Sequence, residues 1–282
     1  MGPPNENKPS KWDSTRIITV KCLLVLFHKL PDGLKLYLRS FKEQEPELYE
    51  LKSLVEKGTI AVDIGANKGA YTYALSRIVG KKGLVLAFEP IAELADYLSR
   101  ACSQLRLPVQ IEQCCLSDKE GFADLFIPIE DNELQTGLAS LAKTENGHSD
   151  IRKVETKKLD DLLKDRDRRV SFIKCDVEGH EIAVFHGALE ILKSDRPNLL
   201  VEIEQRHFEE PLEKHFDFFQ EQGYKPFFLD FSNGTKKLIA VDYDLLSHFS
   251  LNDSEKIINY VYNFIFLPQE FYNIVNSKRV NG

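Results

Sequence analysis

Continuous apolar runs alternate with amphipathic stretches along most of this chain. The runs are rich in aliphatic and β-branched residues and fall at residues 59–64, 83–89, 109–116, 170–177 and 198–203. Apolar residues at helical spacing follow, at residues 71–78, 91–105, 181–192 and 211–222. Strands that are apolar at every position are typical of a parallel sheet covered on both faces, and their alternation with helices predicts βαβ units. We therefore expect an α/β fold with a doubly wound, mostly parallel sheet.

The remaining pattern predicts smaller elements at the edges of this sheet. Residues 122–127 read as an extra strand, and the polar residues 129–150 after it are expected to form a mobile loop. Three further strands are predicted at residues 225–230, 237–241 and 260–267. There is no internal repeat, so we expect residues 1–43 to be a tail with a small extension and residues 44–282 to be one domain.

Residues 59–72, TIAVDIGANKGAYT, join an apolar strand, a glycine turn and the start of a helix. Glycines such as Gly65 and Gly69 tolerate positive φ and let a ligand approach the backbone closely. In open α/β sheets, a turn at the carboxyl end of a strand is where nucleotide-like ligands bind. A dinucleotide site would read G-x-G-x-x-G, but counting from Gly65 this chain places Asn67 and Ala70 at the two later glycine positions. A dehydrogenase is therefore disfavoured, while a purely structural turn stays open.

Acidic residues end several of the predicted strands: Asp63, Glu89, Asp118, Asp176 and Glu202. The carboxyl ends of parallel strands share one edge, so these side chains are expected to converge on a single cleft. Glu89 lies about 20 residues beyond the glycine turn, where an acid accepts both hydroxyls of a ribose. Asp118, with Ser117 beside it, is placed to accept from an adenine amino group. Each acid has a plainer interpretation as a turn or helix-cap residue.

Residues 174–181, KCDVEGHE, are more polar than a plain turn requires. Asp176, Glu178 and His180 are candidates for the base that removes a proton during transfer of a group to a hydroxyl. For His180 the alternative is a solvated residue at the start of a helix. Carboxylate oxygens also suit a hard cation such as Mg²⁺, and the candidate ligands for it are Asp176, Glu202 and Glu204.

Composition narrows the class of protein. A net charge of −7 and a pI near 5.6 oppose a nucleic-acid footprint, which needs a basic face. The five cysteines show no metal or disulfide spacing, so thiols in a reducing cytoplasm are expected. The apolar run at residues 17–27 is too short to span a bilayer. We expect a cytoplasmic, soluble protein with no transmembrane segment.

Taken together, these motifs resemble the FkbM-type family of SAM-dependent methyltransferases (SAM, S-adenosylmethionine). The resemblance covers about residues 45–268 and is carried, in order, by VDIGANKGAYT, LAFEP, CLSDKEG, KLDDLL, FIKCDVEGHE, HGALEIL, PNLLVEIE and NFIFLP. It implies a Rossmann-like class I methyltransferase with a seven-stranded sheet. It also implies methylation of a hydroxyl on a sugar or natural product, and with the acidic composition we expect a small-molecule or glycan acceptor and no nucleic-acid partner.

The resemblance also assigns roles to positions of this chain. The SAM turn would be lined by Asp63, Gly65, Asn67 and Gly69. Glu89 would hold the ribose, Asp118 with Ser117 would face the adenine, and Asp176 would lie at the reacting end. Ser140 matches a serine in the loop after the extra strand. Two alternatives stay open: methylation of an amine, and a non-catalytic SAM-binding protein that acts through its N-terminal segment.

Overall fold

The computed structural model describes residues 30–42, 46–142, 148–230, 237–241 and 262–271. The predicted N-terminal tail, the apolar run at residues 17–27 and the turn between the strands at residues 225–230 and 237–241 lie outside these ranges. None of the helices in the described ranges combines the length and hydrophobicity needed to cross a membrane.

Twelve strands and eight α-helices are assigned within the described ranges. The strands are β1 Ile60–Ile64, β2 Leu84–Phe88, β3 Val109–Glu112, β4 Cys115–Leu116, β5 Gly121–Glu130, β6 Glu133–Leu134, β7 Ser149–Lys157, β8 Val170–Cys175, β9 Asn198–Glu202, β10 Tyr224–Asp230, β11 Lys237–Ala240 and β12 Asn263–Pro268. The helices are α1 Asp32–Lys42, α2 Leu51–Leu54, α3 Ala70–Val79, α4 Ala92–Leu105, α5 Leu159–Leu162, α6 Glu181–His186, α7 Leu189–Ser194 and α8 Leu212–Glu221. Short 3-10 turns lie at Pro46–Tyr49, Thr136–Leu138 and Gln205–His207.

The main sheet has the strand order β11-β10-β12-β9-β8-β1-β2-β3. Five strands form its parallel core, in which β1 pairs with both β2 and β8. At the other end β12 runs antiparallel between β9 and β10, and β11 continues as an antiparallel edge. This is the doubly wound, mostly parallel α/β fold that the sequence predicts. The expected seven strands are present, and β11 is an eighth because it pairs along β10.

Alternate residues of the core strands face two separate hydrophobic layers. In β1 and β8, Val62 and Ile173 pack with the α5 to α8 side, whereas Ala61 and Phe172 pack with α2 and α3. Since successive strand residues point to opposite faces, a run that is apolar throughout requires helices on both sides of the sheet. The carboxyl ends of the core strands therefore open between two helical layers.

A second sheet of order β4-β7-β5-β6 covers the carboxyl edge beside β3. Residues 121–130 form one ten-residue strand, longer than the predicted residues 122–127. The predicted loop at residues 129–150 is wrong in its first part, because the chain turns at Asp131 and Asn132, both with positive φ, and pairs back as β6. Residues 143–147 of that loop lie outside the described ranges.

Two predicted elements are interrupted. The strand expected at residues 109–116 divides into β3 and β4, which belong to different sheets. The helix expected at residues 181–192 divides into α6 and α7 at Gly187, where a Cβ would lie 2.1 Å from the carbonyl oxygen of Ser117. The break therefore lets α6 approach the end of β4.

Helix α1 packs against the domain through its buried Leu36, which joins Ala101 and Cys102 of α4 in one cluster. The Gly33 N–H donates to Gln104 Oε1 at 2.7 Å, and Arg100 pairs with Asp32 at 2.8 Å. The extension before residue 44 thus contacts the predicted domain, and the proposed boundary at residue 43 stays a prediction.

Candidate active site

A pocket with an empty volume of about 600 Å³ lies at the carboxyl edge of the parallel core. Its floor comes from the ends of β1, β2, β4 and β8, and its wall includes residues of β5 and of the segment after β6. Among the lining residues are Gly65, Asn67, Glu89, Asp176, Glu178 and His180. Backbone of the glycine turn, carboxylates and apolar side chains meet in this pocket, as they do in small-molecule and cofactor sites.

The turn after β1 begins at Gly65, which has a φ of +75°. A Cβ at this position would lie 1.9 Å from the carbonyl oxygen of Asp176, so only glycine allows the turn to pass the end of β8. The Asp176 N–H also donates to the Ile64 carbonyl at 3.2 Å. These contacts place the glycine turn and the acidic loop side by side.

Glu89 closes the turn from the end of β2. Its carboxylate accepts the backbone N–H of Asn67 at 2.7 Å and that of Ile91 at 2.9 Å. Burial raises the pKa of Glu89 to about 7, against a usual value of 4.5. Each oxygen retains a second lone pair, so the carboxylate can still accept two hydroxyl protons from a ligand. The Asn67 side-chain oxygen is also buried and has no hydrogen-bond partner within the described residues.

Two of the predicted turn residues do not line the pocket. Gly69 caps the start of α3, and a Cβ there would lie 2.4 Å from a Leu98 methyl and 3.0 Å from one of Leu36. Asp63 is fully buried within β1, where it accepts the Thr72 hydroxyl at 2.5 Å. Gly69 therefore lets α1 and α4 pack closely against the turn, and Asp63 is directed inwards towards Thr72 of α3.

Ser117 and His180 meet across the far side of the pocket. Ser117 Oγ lies 2.9 Å from His180 Nε2 and donates to Asp118 Oδ1 at 3.1 Å. Burial lowers the pKa of His180, so its imidazole is neutral at neutral pH. Ser117, which was predicted to face the adenine, is therefore in direct contact with His180, a predicted candidate for the catalytic base. His180 lines the pocket, whereas Ser117 and Asp118 lie behind it.

The wall next to these residues is apolar. It includes Cys114, Cys115, Leu116, Leu125 and Leu141. Burial raises the pKa of the Cys114 thiol to about 11 and that of Cys115 to about 12, so both remain thiols. This part of the pocket suits a flat, weakly polar ring.

The acidic loop after β8 is held by several cationic groups. Lys174 Nζ donates to Asp176 Oδ2 at 3.0 Å. Glu178 has a φ of +54°, and its Oε2 contacts Arg206 at 3.1 Å and His207 Nε2 at 2.9 Å. Arg206 and His207 belong to the 3-10 turn that follows β9. The carboxylate of Glu178 is thus held by that turn, and Glu178 also lines the pocket.

Glu181 stabilises the same loop from the first turn of α6. Its Oε1 accepts the N–H groups of Val177 and Gly179, both at 3.1 Å. Burial raises the pKa of Glu181 to about 7. The role of Glu181 in the structure is therefore to hold the loop conformation.

The carboxylates of Asp176, Glu178 and Glu202 lie within 4.8 Å of one another. Of the predicted cation ligands, Glu204 is outside this group and pairs with Arg206 at 2.6 Å, so Glu178 takes its place. Burial, with the nearby Asp176, raises the pKa of Glu202 to about 9. Asp176 and Glu178 already have cationic protein partners in Lys174 and Arg206, so this set fits a divalent cation poorly.

Ser140 fastens the wall of the pocket to the acidic loop. Its hydroxyl donates to the Glu178 carbonyl at 2.6 Å, and its backbone exchanges two hydrogen bonds with Phe126. Thr136, Gly137 and Ala139 of this segment line the pocket. The segment after β6 is therefore attached at both the β5 side and the acidic loop.

The sequence did not indicate roles for Lys174, Arg206 or His207. A lysine inside the otherwise apolar strand β8 was a signal, because a charge in a buried strand must be paired. Arg206 and His207 had no comparable signal, since their contacts depend on the path of the chain after β9.

The sheet order and the position of the pocket at the carboxyl edge are those of a class I methyltransferase fold. The family model described as Methyltransferase FkbM domain matches residues 63–226, which is more than half of the chain. The chain therefore belongs to the FkbM family of SAM-dependent methyltransferases. No curated protein sequence matches it significantly.

Three solved structures are similar to this chain at low sequence identity. A methyltransferase FkbM from Methylobacillus flagellatus KT is 15% identical with a TM-score of 0.44, covering 91% of this chain and 61% of its own. A putative rRNA-methylase from Clostridium thermocellum is 14% identical with a TM-score of 0.41, covering 79% of this chain and 95% of its own. A SAM-dependent O-methyltransferase from Thermotoga maritima is 13% identical with a TM-score of 0.41, covering 78% of this chain and 63% of its own. The chain thus spans less than two thirds of the first and third of these proteins.

Proposed function

We propose that this methyltransferase transfers the methyl group of SAM to a hydroxyl of a small molecule, sugar or natural product. The observation that carries the proposal is that Glu89 and Asp176, which end different strands, line the same pocket. A ribose-binding acid and an acid at the reacting end must lie on one cavity for this chemistry.

The described residues fit the cofactor. Glu89 has the free lone pairs to accept both ribose hydroxyls, and Gly65 and Asn67 present backbone and a buried amide oxygen to the pocket. The apolar wall near Cys115 and Leu116 suits the adenine, with Ser117 and Asp118 behind it. When bound, SAM would supply a methyl group on a positively charged sulfur; the bond from that sulfur to the methyl carbon would break, and the neutral thioether S-adenosylhomocysteine would leave.

In the proposed mechanism the chain orients the acceptor and moves one proton. The Asp176 carboxylate, or the neutral imidazole of His180, takes the hydroxyl proton as the new O–C bond forms. Glu178 is clamped by Arg206 and His207, so we assign it to the support of this loop. The segment fastened by Ser140 excludes water from the pocket. No step requires a metal ion.

The character of the site also supports the partner and location that we propose. The net charge of −7 and the acids that line the pocket, Glu89, Asp176 and Glu178, repel the phosphates of nucleic acids, which favours a small-molecule or glycan acceptor. The four described cysteines are buried thiols, as in proteins of a reducing cytoplasm.

Calorimetric titration with SAM, followed by a screen of hydroxylated and amine acceptors with radiolabelled SAM, tests the proposal. We expect saturable SAM binding and labelled methyl ethers. A folded protein that does not bind SAM would refute the cofactor site. Label on amines alone would indicate the N-methyltransferase alternative, and SAM binding without any transfer would favour the non-catalytic one.

A further inference from the structure

Lys174 is a buried lysine inside a core strand, and the mechanism above gives it no role. It is 6% exposed, and its neighbours Ile173 and Cys175 are fully buried. A charge in such a position costs stability unless it is paired and hydrogen-bonded. Its retention there calls for a specific set of partners.

Those partners belong to the two loops that form the pocket. Lys174 Nζ lies 3.0 Å from Asp176 Oδ2, donates to the Gly65 carbonyl at 3.3 Å, and is 4.0 Å from Asp63 Oδ1. It also lies 5.2 Å from the centre of the Tyr71 ring. One ammonium group therefore bridges the glycine turn after β1 and the acidic loop after β8.

The charge of Lys174 is maintained by its surroundings. Burial alone would lower its pKa, but Asp176 and Asp63 together raise it above the usual value of 10.5. The ammonium is therefore a permanent donor and cannot serve as the base. The side chain of Asp176 is 30% exposed and that of Asp63 is 0% exposed, so Lys174 acts on the pocket through Asp176.

We propose that Lys174 is a positioning residue that fixes the Asp176 carboxylate against the glycine turn, so that it faces the sulfonium of SAM. This inference rests on the proposed function, because it requires SAM in this pocket. The competing role is purely structural, in which Lys174 only offsets the buried charge of Asp63. The two roles differ when Lys174 and Asp63 are neutralised together.

The decisive variant is the double substitution Asp63→Asn with Lys174→Met. It removes one acid and one base, so the summed charge of Asp63, Lys174 and Asp176 is the same before and after. Asparagine can still accept from Thr72, and methionine keeps most of the lysine's aliphatic volume. Lys174→Met alone leaves buried carboxylates unpaired and is expected to fold poorly.

The affinities of SAM and of S-adenosylhomocysteine, which has a neutral sulfur, are measured by calorimetry after thermal unfolding confirms the fold. The comparison set is the wild type, Asp63→Asn alone, and Lys214→Met, which removes an exposed lysine paired with Glu210 on another face. We expect the double variant to bind SAM about tenfold more weakly than the wild type, which has the same summed charge at these groups; the difference is the loss of one charged hydrogen bond. Binding of S-adenosylhomocysteine should weaken less, because it lacks the charge that Asp176 faces.

Three results would overturn the inference: a SAM affinity of the double variant equal to that of the wild type, equal losses for the two ligands, or a double variant that does not fold. Each would make Lys174 a structural residue only. A wild type that binds neither ligand would instead refute the proposed function on which the inference depends.

Discussion

Replacing Glu89 by glutamine tests two effects of its buried charge separately: the lower free energy of unfolding and the binding of SAM. Glu89 is 4% exposed, and burial raises its pKa from 4.5 to about 7. At 1.36 kcal/mol per pKa unit, keeping this carboxylate ionised in the folded state costs about 3 kcal/mol. Because the folded-state pKa is the higher one, stability is greatest below pH 4.5 and is lost as the pH rises towards 7.

The substitution Glu89→Gln removes that pH-dependent loss. Relative to the wild type, the free energy of unfolding of the variant should therefore improve by about 2.5 kcal/mol between pH 5 and pH 8. The glutamine also presents an NH₂ group to one of the two N–H donors, which lowers stability by a similar amount at both pH values. Urea unfolding at pH 5 and pH 8 measures the difference, with the exposed Glu221→Gln on α8 as a control that should show no such change.

Binding should respond in the opposite direction. An amide cannot accept both ribose hydroxyls and its two backbone donors, so SAM affinity should fall at least about tenfold in Glu89→Gln. In the wild type, SAM affinity should rise as Glu89 ionises between pH 6 and pH 8. If the stability difference between variant and wild type is the same at both pH values, Glu89 does not carry the raised pKa. If the SAM affinity of Glu89→Gln equals that of the wild type, Glu89 does not hold the ribose.

Three further predictions test other parts of the pocket. Gly65→Ala should destabilise the fold by more than about 2 kcal/mol and abolish SAM binding, because its Cβ would meet the Asp176 carbonyl at 1.9 Å. Gly58→Ala is the matched control, since φ is also positive there (+79°) but nothing lies within 4 Å, and thermal unfolding should show a cost of only about 1 kcal/mol. Asp176→Ala should lower methyl transfer to the identified acceptor at least about 100-fold in an initial-rate assay, and unchanged turnover would remove it from the mechanism. Methyl transfer should survive thorough chelation, because Lys174, Arg206 and His207 already pair with the acids, and a loss restored by added Mg²⁺ would contradict this.

The order of motifs along the chain was enough to predict the family and the central sheet. Strands β1 and β2 are apolar at nearly every position and β8 and β9 at most positions, and only a sheet covered on both faces buries such runs. The glycine turn could also be predicted. Glycine is required at position 65 both by the positive φ and by the close approach of the Asp176 carbonyl oxygen. Glu89 and Asp176 could be placed on one edge from strand direction alone.

The boundaries of elements were less predictable because tertiary contacts decide them. The helix at residues 181–192 has a continuous apolar pattern, yet it breaks at Gly187 because α6 must pass the Ser117 carbonyl. Asp131 and Asn132 form a turn within residues that the polar composition marked as loop. In the first case packing against a distant segment overrides the local pattern, and in the second the chain pairs with itself across a two-residue turn.

The sequence by itself determined the class of fold, the glycine turn and the set of acids at the strand ends, because these follow from local hydrophobic pattern and chain direction. Only the tertiary structure decided which of those acids face the pocket. Asp63 is directed into the core and Asp176 to the cavity, although both follow the same strand-end pattern. The partners of the acids, Lys174, Arg206 and His207, depend on the strand order and on the turn after β9, which bring together residues that the sequence keeps apart.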